Sequence, residues 1–212
     1  MEDVVRHHGR ADARAEEAAD PVAGPWFHRL AIGSNRKLRD GVSSVLLGIT
    51  VVRFLAYTGL RWGEMAALRV ESMDMLRRRV NIRQAVAEVG GKVMWSSPKS
   101  HERRSVPFPK FLADELAALM VGKGREELVF TGPAGGVLRV STFRPRVFAP
   151  AVEQPVARMP GFPVVTPHDL RHTAASLAIS AGANPKTVQT MLGHASAVLT
   201  LDTYADLFPV SR

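Results

Sequence analysis

The sequence predicts a mixed fold, mainly α-helical, with a small antiparallel β-sheet. Three observations carry that reading. A long apolar run from Val42 to Tyr57 has helical breadth. Val80 and Ile82 alternate with Asn81 and Arg83, the period of a half-buried strand. The last fifty residues are punctuated by helix starts and stops at Thr166-Pro167, Gly182, Asn184-Pro185, Gly193 and Ser196. At 212 residues and 46% hydrophobic content, the chain has the size and core material of one ordinary domain with an appendage.

Residues 1 to about 40 form the appendage. The first 24 are rich in alanine and charge and end in Asp20-Pro21-Val22-Ala23-Gly24-Pro25, which reads as a poorly ordered arm closed by a breaker. Trp26, Phe27 and Leu30 are the residues that would dock the next segment onto the body. The body, 41–212, opens with the Val42–Tyr57 helix. Thr58-Gly59 ends it, Arg61 comes next in or beside a tight turn, and Glu64 to Leu68 restarts helical character. Strands are expected at Val80–Arg83, Lys92–Trp95 and Arg104–Phe108, with Lys99 at the tip of a hairpin between the last two. Phe111 to Met120 is a helix with Leu112, Leu116 and Leu119 on one side, and Gly132 to Gly136 is a loop. Thr166 can cap a helix with Pro167 in its first turn and Asp169 three residues on. Its apolar stripe runs through Leu170, Ala174, Leu177 and Ala178. Asn184-Pro185 starts a short helix that stops at Gly193, and Ser196 can cap a last helix carrying Tyr204.

Composition narrows the function. There are 28 basic and 20 acidic residues, for +8 overall and a pI near 10.6. Residues 1–20 hold six of the acids and three of the arginines, so the remainder has 25 basic and 14 acidic residues. A basic body of that kind suits a polyanion, nucleic acid before membrane. With no cysteine, disulfides, thiolate zinc sites and cysteine nucleophiles are excluded, which fits a cytoplasmic protein. The first twenty residues are too polar for a signal peptide, and Arg53, Arg61 and Glu64 make the apolar run a buried helix and not a membrane span.

The chemistry-bearing residues lie at Arg61, Lys99, His168, Arg171, His194 and Tyr204. In a helix starting at Thr166, His168 and Arg171 project from one face near the N-terminal end, where free amides and the helix dipole favour a phosphate. Arg171 can fork onto two phosphate oxygens; Arg61 would bring a second fork, with Glu64 three residues on to hold it. Singly, each has a plain structural reading: a helix-end ion pair for Arg61, a solvated Lys99, a packed His194, a core-edge Tyr204. Tyr57, in an apolar run, is assigned to packing. His168 and His172 also have metal-ligand spacing, with His194 as a third ligand, but no H-E-x-x-H pattern is present and Arg171 between them would repel a cation.

Taken together and in order, these motifs resemble the catalytic domain of the tyrosine site-specific recombinases, the phage integrase family. TGLRWGEM carries the first arginine, Arg61; SPKSHERRSVPFP the lysine, Lys99; TPHDLRHT the H-x-x-R box, His168 and Arg171; LGH carries His194; and TLDTYADL the nucleophile, Tyr204. The intervals fit too, 23 residues from Arg171 to His194 and 10 from His194 to Tyr204. The match covers about Val42 to Arg212. The resemblance implies the DNA breaking-rejoining catalytic fold and double-stranded DNA as partner. Tyr204 would attack the scissile phosphate, forming a 3′-phosphotyrosyl link and releasing a 5′-hydroxyl. Arg61 and Arg171 would stabilise the phosphoryl charge, Lys99 would protonate the leaving 5′ oxygen, His168 would assist proton transfer and His194 would hydrogen-bond the phosphate. No cofactor, neither ATP nor metal, is needed, because the bond energy stays in the phosphotyrosine. No membrane or small-molecule substrate is implied; a homotetramer on DNA is.

Relatives usually carry an N-terminal helical core-binding domain that clamps the far side of the DNA. The acidic, Ala-rich 1–40 arm cannot build one, and few residues follow Tyr204 to couple subunits. The expectation is therefore an active recombinase of a mobile element or, as the alternative, a truncated, inactive DNA-binding remnant or a type IB topoisomerase-like nicking-closing activity.

Overall fold

The computed structural model describes residues 44–96 and 104–208. The N-terminal arm, with Trp26, Phe27 and Leu30, and Lys99 all lie outside the described residues.

The order is α1 (Ser44–Thr58), α2 (Trp62–Ala66), a 3-10 turn (Val70–Ser72), and five short strands: β1 (Met73–Asp74), β2 (Arg79–Ile82), β3 (Ala85–Val89), β4 (Lys92–Ser96) and β5 (Arg104–Pro107). Then come α3 (Leu112–Met120), α4 (Val140–Phe143), a π turn (Arg144–Phe148), α5 (Ala149–Arg158), α6 (Leu170–Ser180), α7 (Pro185–Leu192) and α8 (Ala197–Tyr204), with a 3-10 turn (Ala205–Leu207) after it. The mainly α fold with a little antiparallel sheet is as expected.

α1 is the spine. Val51, Phe54 and Leu55 are buried in the main core with Met65, Val80, Ile82, Leu112, Leu116 and Phe130. Its one charge, Arg53, ion-pairs with Glu115 of α3 at 2.5 Å, and Thr50 donates to the same carboxylate at 2.9 Å, so an arginine is carried in an apolar helix without an unpaired charge. Tyr57 packs edge-on to Phe111, 4.9 Å between centroids. Among the described residues no helix is long and apolar enough to cross a membrane.

The strands depart from expectation in their pairing. They make two sheets, β1-β2-β5 and a separate β3-β4 hairpin. β4 therefore pairs with β3, not with β5, and the strands on either side of Lys99 belong to different sheets. The reason is local: Gly90 and Gly91 both have positive φ and join β3 to β4 through a two-residue turn of the kind that closes hairpins. In the other sheet, β5 returns to β2 with Val80 opposite Val106 and Ile82 opposite Arg104. That register places Arg104 on the inward face.

The stretch 140–158 is helical, although Pro145, Pro150 and Pro155 mask its pattern. Proline cannot donate to the carbonyl a turn earlier, and the backbone passes through a π turn there. α6 begins at Leu170, not at Thr166. Thr166–Asp169 is a tight turn in which Asp169 accepts from the Thr166 N–H at 2.7 Å and hydroxyl at 2.9 Å; the first α-type bond is Thr173 N–H to Asp169 carbonyl. The two C-terminal starts form as expected. Asn184 accepts from the Thr187 N–H at 2.9 Å and Ser196 from the Leu199 N–H at 3.3 Å.

Candidate active site

Buried arginines meet the end of one short helix. α7 stops at Leu192, leaving carbonyls with no partner inside the helix. Arg104 Nε donates to the Met191 carbonyl at 3.2 Å, and Arg171 donates to the Leu192 carbonyl at 2.6 Å. Both cations lie at the negative end of the helix dipole. Gly193 turns the chain away with φ of 66°, and a Cβ there would stand 2.8 Å from the Arg104 guanidinium carbon. The Leu-Gly-His sequence is thus a packed leucine, a left-handed helix stop over an arginine, and then His194.

The turn after α1 supplies the other half. Gly59 has φ of 64°, and a Cβ on it would lie 2.6 Å from Leu192 and 3.2 Å from Ala174, so only glycine lets α6 and α7 close on this turn. Its carbonyl accepts from Arg171 at 2.5 Å. Two residues later, Arg61 precedes α2. Its backbone N–H donates to Glu64 at 2.8 Å and its guanidinium to the same carboxylate at 3.2 Å. Glu64 does hold Arg61, but its stronger tie is elsewhere. Arg104 forks onto it with bonds of 3.0 and 2.7 Å, both side chains almost fully buried. Burial alone would raise the Glu64 pKa; the Arg104 and Arg61 contacts outweigh it and hold the carboxyl below its ordinary range.

Arg171 is 5% exposed, while Arg61 keeps nearly half of its side chain open. Burial, then the charge of Arg61, lowers Arg171 to about 10, with Glu64 opposing and Arg104 adding to the effect. His194 is pulled down to about 4 by burial and by Arg171, Arg61 and Arg104, so it is neutral at physiological pH. Its Nδ1 lies 3.0 Å from the hydroxyl of fully buried Thr200 in α8, which ties this loop to the tyrosine helix.

Tyr204 ends α8 and is 5% exposed, packed with Ala175, Ile179, Val188 and Leu192. Burial raises its pKa, and Arg171 counters that rise. Its hydroxyl lies 2.9 Å from Nδ1 of His172, with ring centroids 5.7 Å apart. His168, exposed on the turn before α6, stands edge-on to His172 at 6.1 Å. The fold thus brings Arg61, Glu64, His168, Arg171, His194 and Tyr204 into one neighbourhood.

Sequence reasoning missed Arg104 and the His172–Tyr204 contact. A signal for Arg104 was present: it precedes Val106 and Phe108 in the inward alternation of a strand, where a charge needs a buried partner. His172 entered only as metal-ligand spacing. Among the described residues no three His, Cys, Asp or Glu side chains are grouped to hold a metal.

The sequence profile of the phage integrase family matches residues 42–209. Tyrosine recombinase XerC of Mycobacterium bovis is 35% identical over 154 residues, covering 71% of this chain and 46% of that protein. The integrase of Mycobacterium phage L5 is 30% identical over 148 residues, 66% of this chain and 38% of that one. The chain therefore spans less than half the length of these relatives. An integrase of transposon Tn1549, solved with transposon right-end DNA, superposes with a TM-score of 0.70 at 18% identity, over 88% of this chain and 59% of that one. The catalytic domain of bacteriophage HP1 integrase superposes at 0.53 and 22% identity, covering 87% and 85%. At these identities the superpositions establish the fold.

Proposed function

The chain belongs to the phage integrase family, and from that premise we propose that it cuts and rejoins double-stranded DNA in site-specific recombination, through a 3′-phosphotyrosyl intermediate on Tyr204. One observation carries the reading. Arg61, Arg104 and Arg171 converge around a single buried carboxylate, Glu64, and burial together with the charges of Arg61 and Arg104 lowers Arg171. Three cations against one anion leave a positive locus beside a tyrosine hydroxyl, which suits a phosphodiester.

Arg104 is spent on Glu64 and Met191, so it braces the site and Arg61 and Arg171 face the phosphate. Arg171 donates through two of its nitrogens to carbonyls, and the guanidinium's remaining N–H groups serve a phosphoryl oxygen. Neutral His194 donates through Nε2 if Nδ1 accepts from Thr200. Tyr204 attacks the phosphorus, His168 assists proton transfer, and Lys99 protonates the departing 5′ oxygen. Forming a phenolate at neutral pH costs about 4 kcal/mol for an ordinary tyrosine, and burial adds to that; positive charge and positioning offset it. The active assembly is a homotetramer on DNA.

The test is a covalent trap with nicked duplexes taken from the DNA flanking the protein's own gene. An SDS-resistant, protease-sensitive protein–DNA band that is lost in Tyr204→Phe is expected. DNA binding without such a band would favour a non-catalytic DNA-binding role, and relaxation of any supercoiled plasmid would favour nicking-closing.

A further inference from the structure

We propose that His172 is the base that takes the proton from Tyr204 as the tyrosine attacks, and that it returns this proton when the strand is rejoined. The inference rests on the DNA-cleavage reading and deepens it.

Of the three histidines around the site, His172 is the one whose ring nitrogen meets the tyrosine hydroxyl, at 2.9 Å. His194 has its Nδ1 against Thr200 and is held neutral down to about pH 4, a weak base. His168 faces His172 edge-on, one step farther from the hydroxyl. Tyr204 is buried, so bulk water does not compete for its proton, whereas His172 is exposed and can pass a proton on to solvent. His172 also comes directly after Arg171 on α6. The phosphate anchor and the proton acceptor are therefore set by one helix turn, itself fastened by Arg171 to the Gly59 and Leu192 carbonyls. An imidazole nitrogen can both accept a proton and give it back, which suits a base that works in both directions. Raised by burial, Tyr204 has particular need of one.

The step balances. The Tyr204 Oη–H bond breaks and its proton moves to His172 Nδ1. The Oη–P bond forms, the P–O5′ bond breaks, and the 5′ oxygen is protonated by the general acid, Lys99. On rejoining, the 5′-hydroxyl gives its proton back to Lys99 as it attacks, the P–Oη bond breaks, and His172 reprotonates the tyrosine. Nδ1 must be the unprotonated nitrogen beforehand, so the Nε2–H tautomer is required. The charged groups around the pair are Asp169, which couples to both His168 and His172, then Arg171 on α6, His194 from the loop after α7, and Arg61 and Arg104 from the opposite wall. Asp202 on α8 and Asp206 on the turn after it are exposed, and Arg53 of α1 is engaged by Glu115.

The test uses the full chain and a duplex whose scissile 5′ oxygen is replaced by sulfur, which leaves without a proton and so isolates deprotonation of the nucleophile. With wild type, covalent complex formation should rise with pH. His172→Asn keeps a hydrogen-bond acceptor but cannot take the proton; it should slow the reaction about a hundredfold and lose the rise. A His172→Asn profile like wild type overturns the proposal. If wild type itself forms no Tyr204-linked complex, it is the cleavage reading that fails, and a second measurement still decides the contact. Tyr57 and Tyr204 are the only tyrosines, so Tyr57→Phe leaves one reporter. In ζ-13C-tyrosine-labelled Tyr57→Phe protein, the Tyr204 signal should move as His172 gains a proton on acidification, and His172→Asn should abolish that movement. A Tyr204 signal in the Tyr57→Phe protein that is no more sensitive to pH than in the His172→Asn variant overturns the proposal whatever the DNA shows.

Discussion

The arginine side of the site and the tyrosine side are built differently. Arg61, Glu64 and Arg104 rest on the main core through α2 and β5, and the buried Glu64 and Arg104 are partnered by guanidinium groups, a carboxylate and a helix-end carbonyl. Tyr204 sits on an eight-residue helix, packed in a cluster with four other buried side chains. Val198, Leu199 and Leu201 on that helix remain 40–63% exposed. Less apolar area holds α8, so local opening costs less there than in the arginine frame. The two sides divide the labour. On the proposed reading, the groups that would bind the phosphate are fixed by buried ion pairs, and the attacking tyrosine is carried by a more exposed helix.

Arg171→Ala strikes this contrast hardest. It removes the proposed phosphate donor and leaves the Gly59 and Leu192 carbonyls without their Arg171 partner. Tyr204-linked covalent complex should fall about a thousandfold, and unfolding stability by about 3 kcal/mol. Gel quantification and urea melts read the two effects, and a mutant that cleaves at the wild-type rate would remove Arg171 from the chemistry.

Glu64→Gln comes next. It strands Arg104 as an uncompensated buried charge and should cost about 3–5 kcal/mol by urea unfolding. The sign with pH comes from the lowered folded pKa: the carboxylate stabilises fully above its unfolded value near 4.5, and that contribution is lost as pH falls through the folded value. Wild type should therefore lose part of its margin over the variant below pH 4.5. A constant margin from pH 7 to pH 3 would show that the bridge does not stabilise the frame.

The mildest change discriminates most finely between the two sides. Ser196→Ala removes the cap of α8 and should cost about 1 kcal/mol. Amide hydrogen exchange should speed up in residues 197–204 while the α2 and β5 amides are unmoved. Equal acceleration in both places would mean that the two sides open as one unit.

What was legible in the chain divides along the same lines. Local signals found the helices wherever chemistry is local: the Val42–Tyr57 apolar run, the Asn184 and Ser196 caps, the Gly193 stop. The family resemblance pointed to Arg61, Glu64, His168, Arg171, His194 and Tyr204, and the fold brings these residues together. Three things were not legible. Strand partners were mis-paired because alternation marks a strand without naming its neighbour, although Gly90-Gly91 held the clue. The 140–158 helices were hidden by three prolines. Arg104, and His172 as the neighbour of Tyr204, emerge only when segments forty residues (Glu64 to Arg104) and thirty-two residues (His172 to Tyr204) apart come together.

Sequence alone was enough for the motif residues, their order, and the helices on which most of them ride, since period, caps and stops act within a few residues. Packing in three dimensions settled which arginine is buried as a brace and which stays open, how neutral His194 is held, and which histidine touches the tyrosine. Those properties depend on burial and on charges brought within a few ångströms of one another, and neither quantity is written in the spacing of the chain.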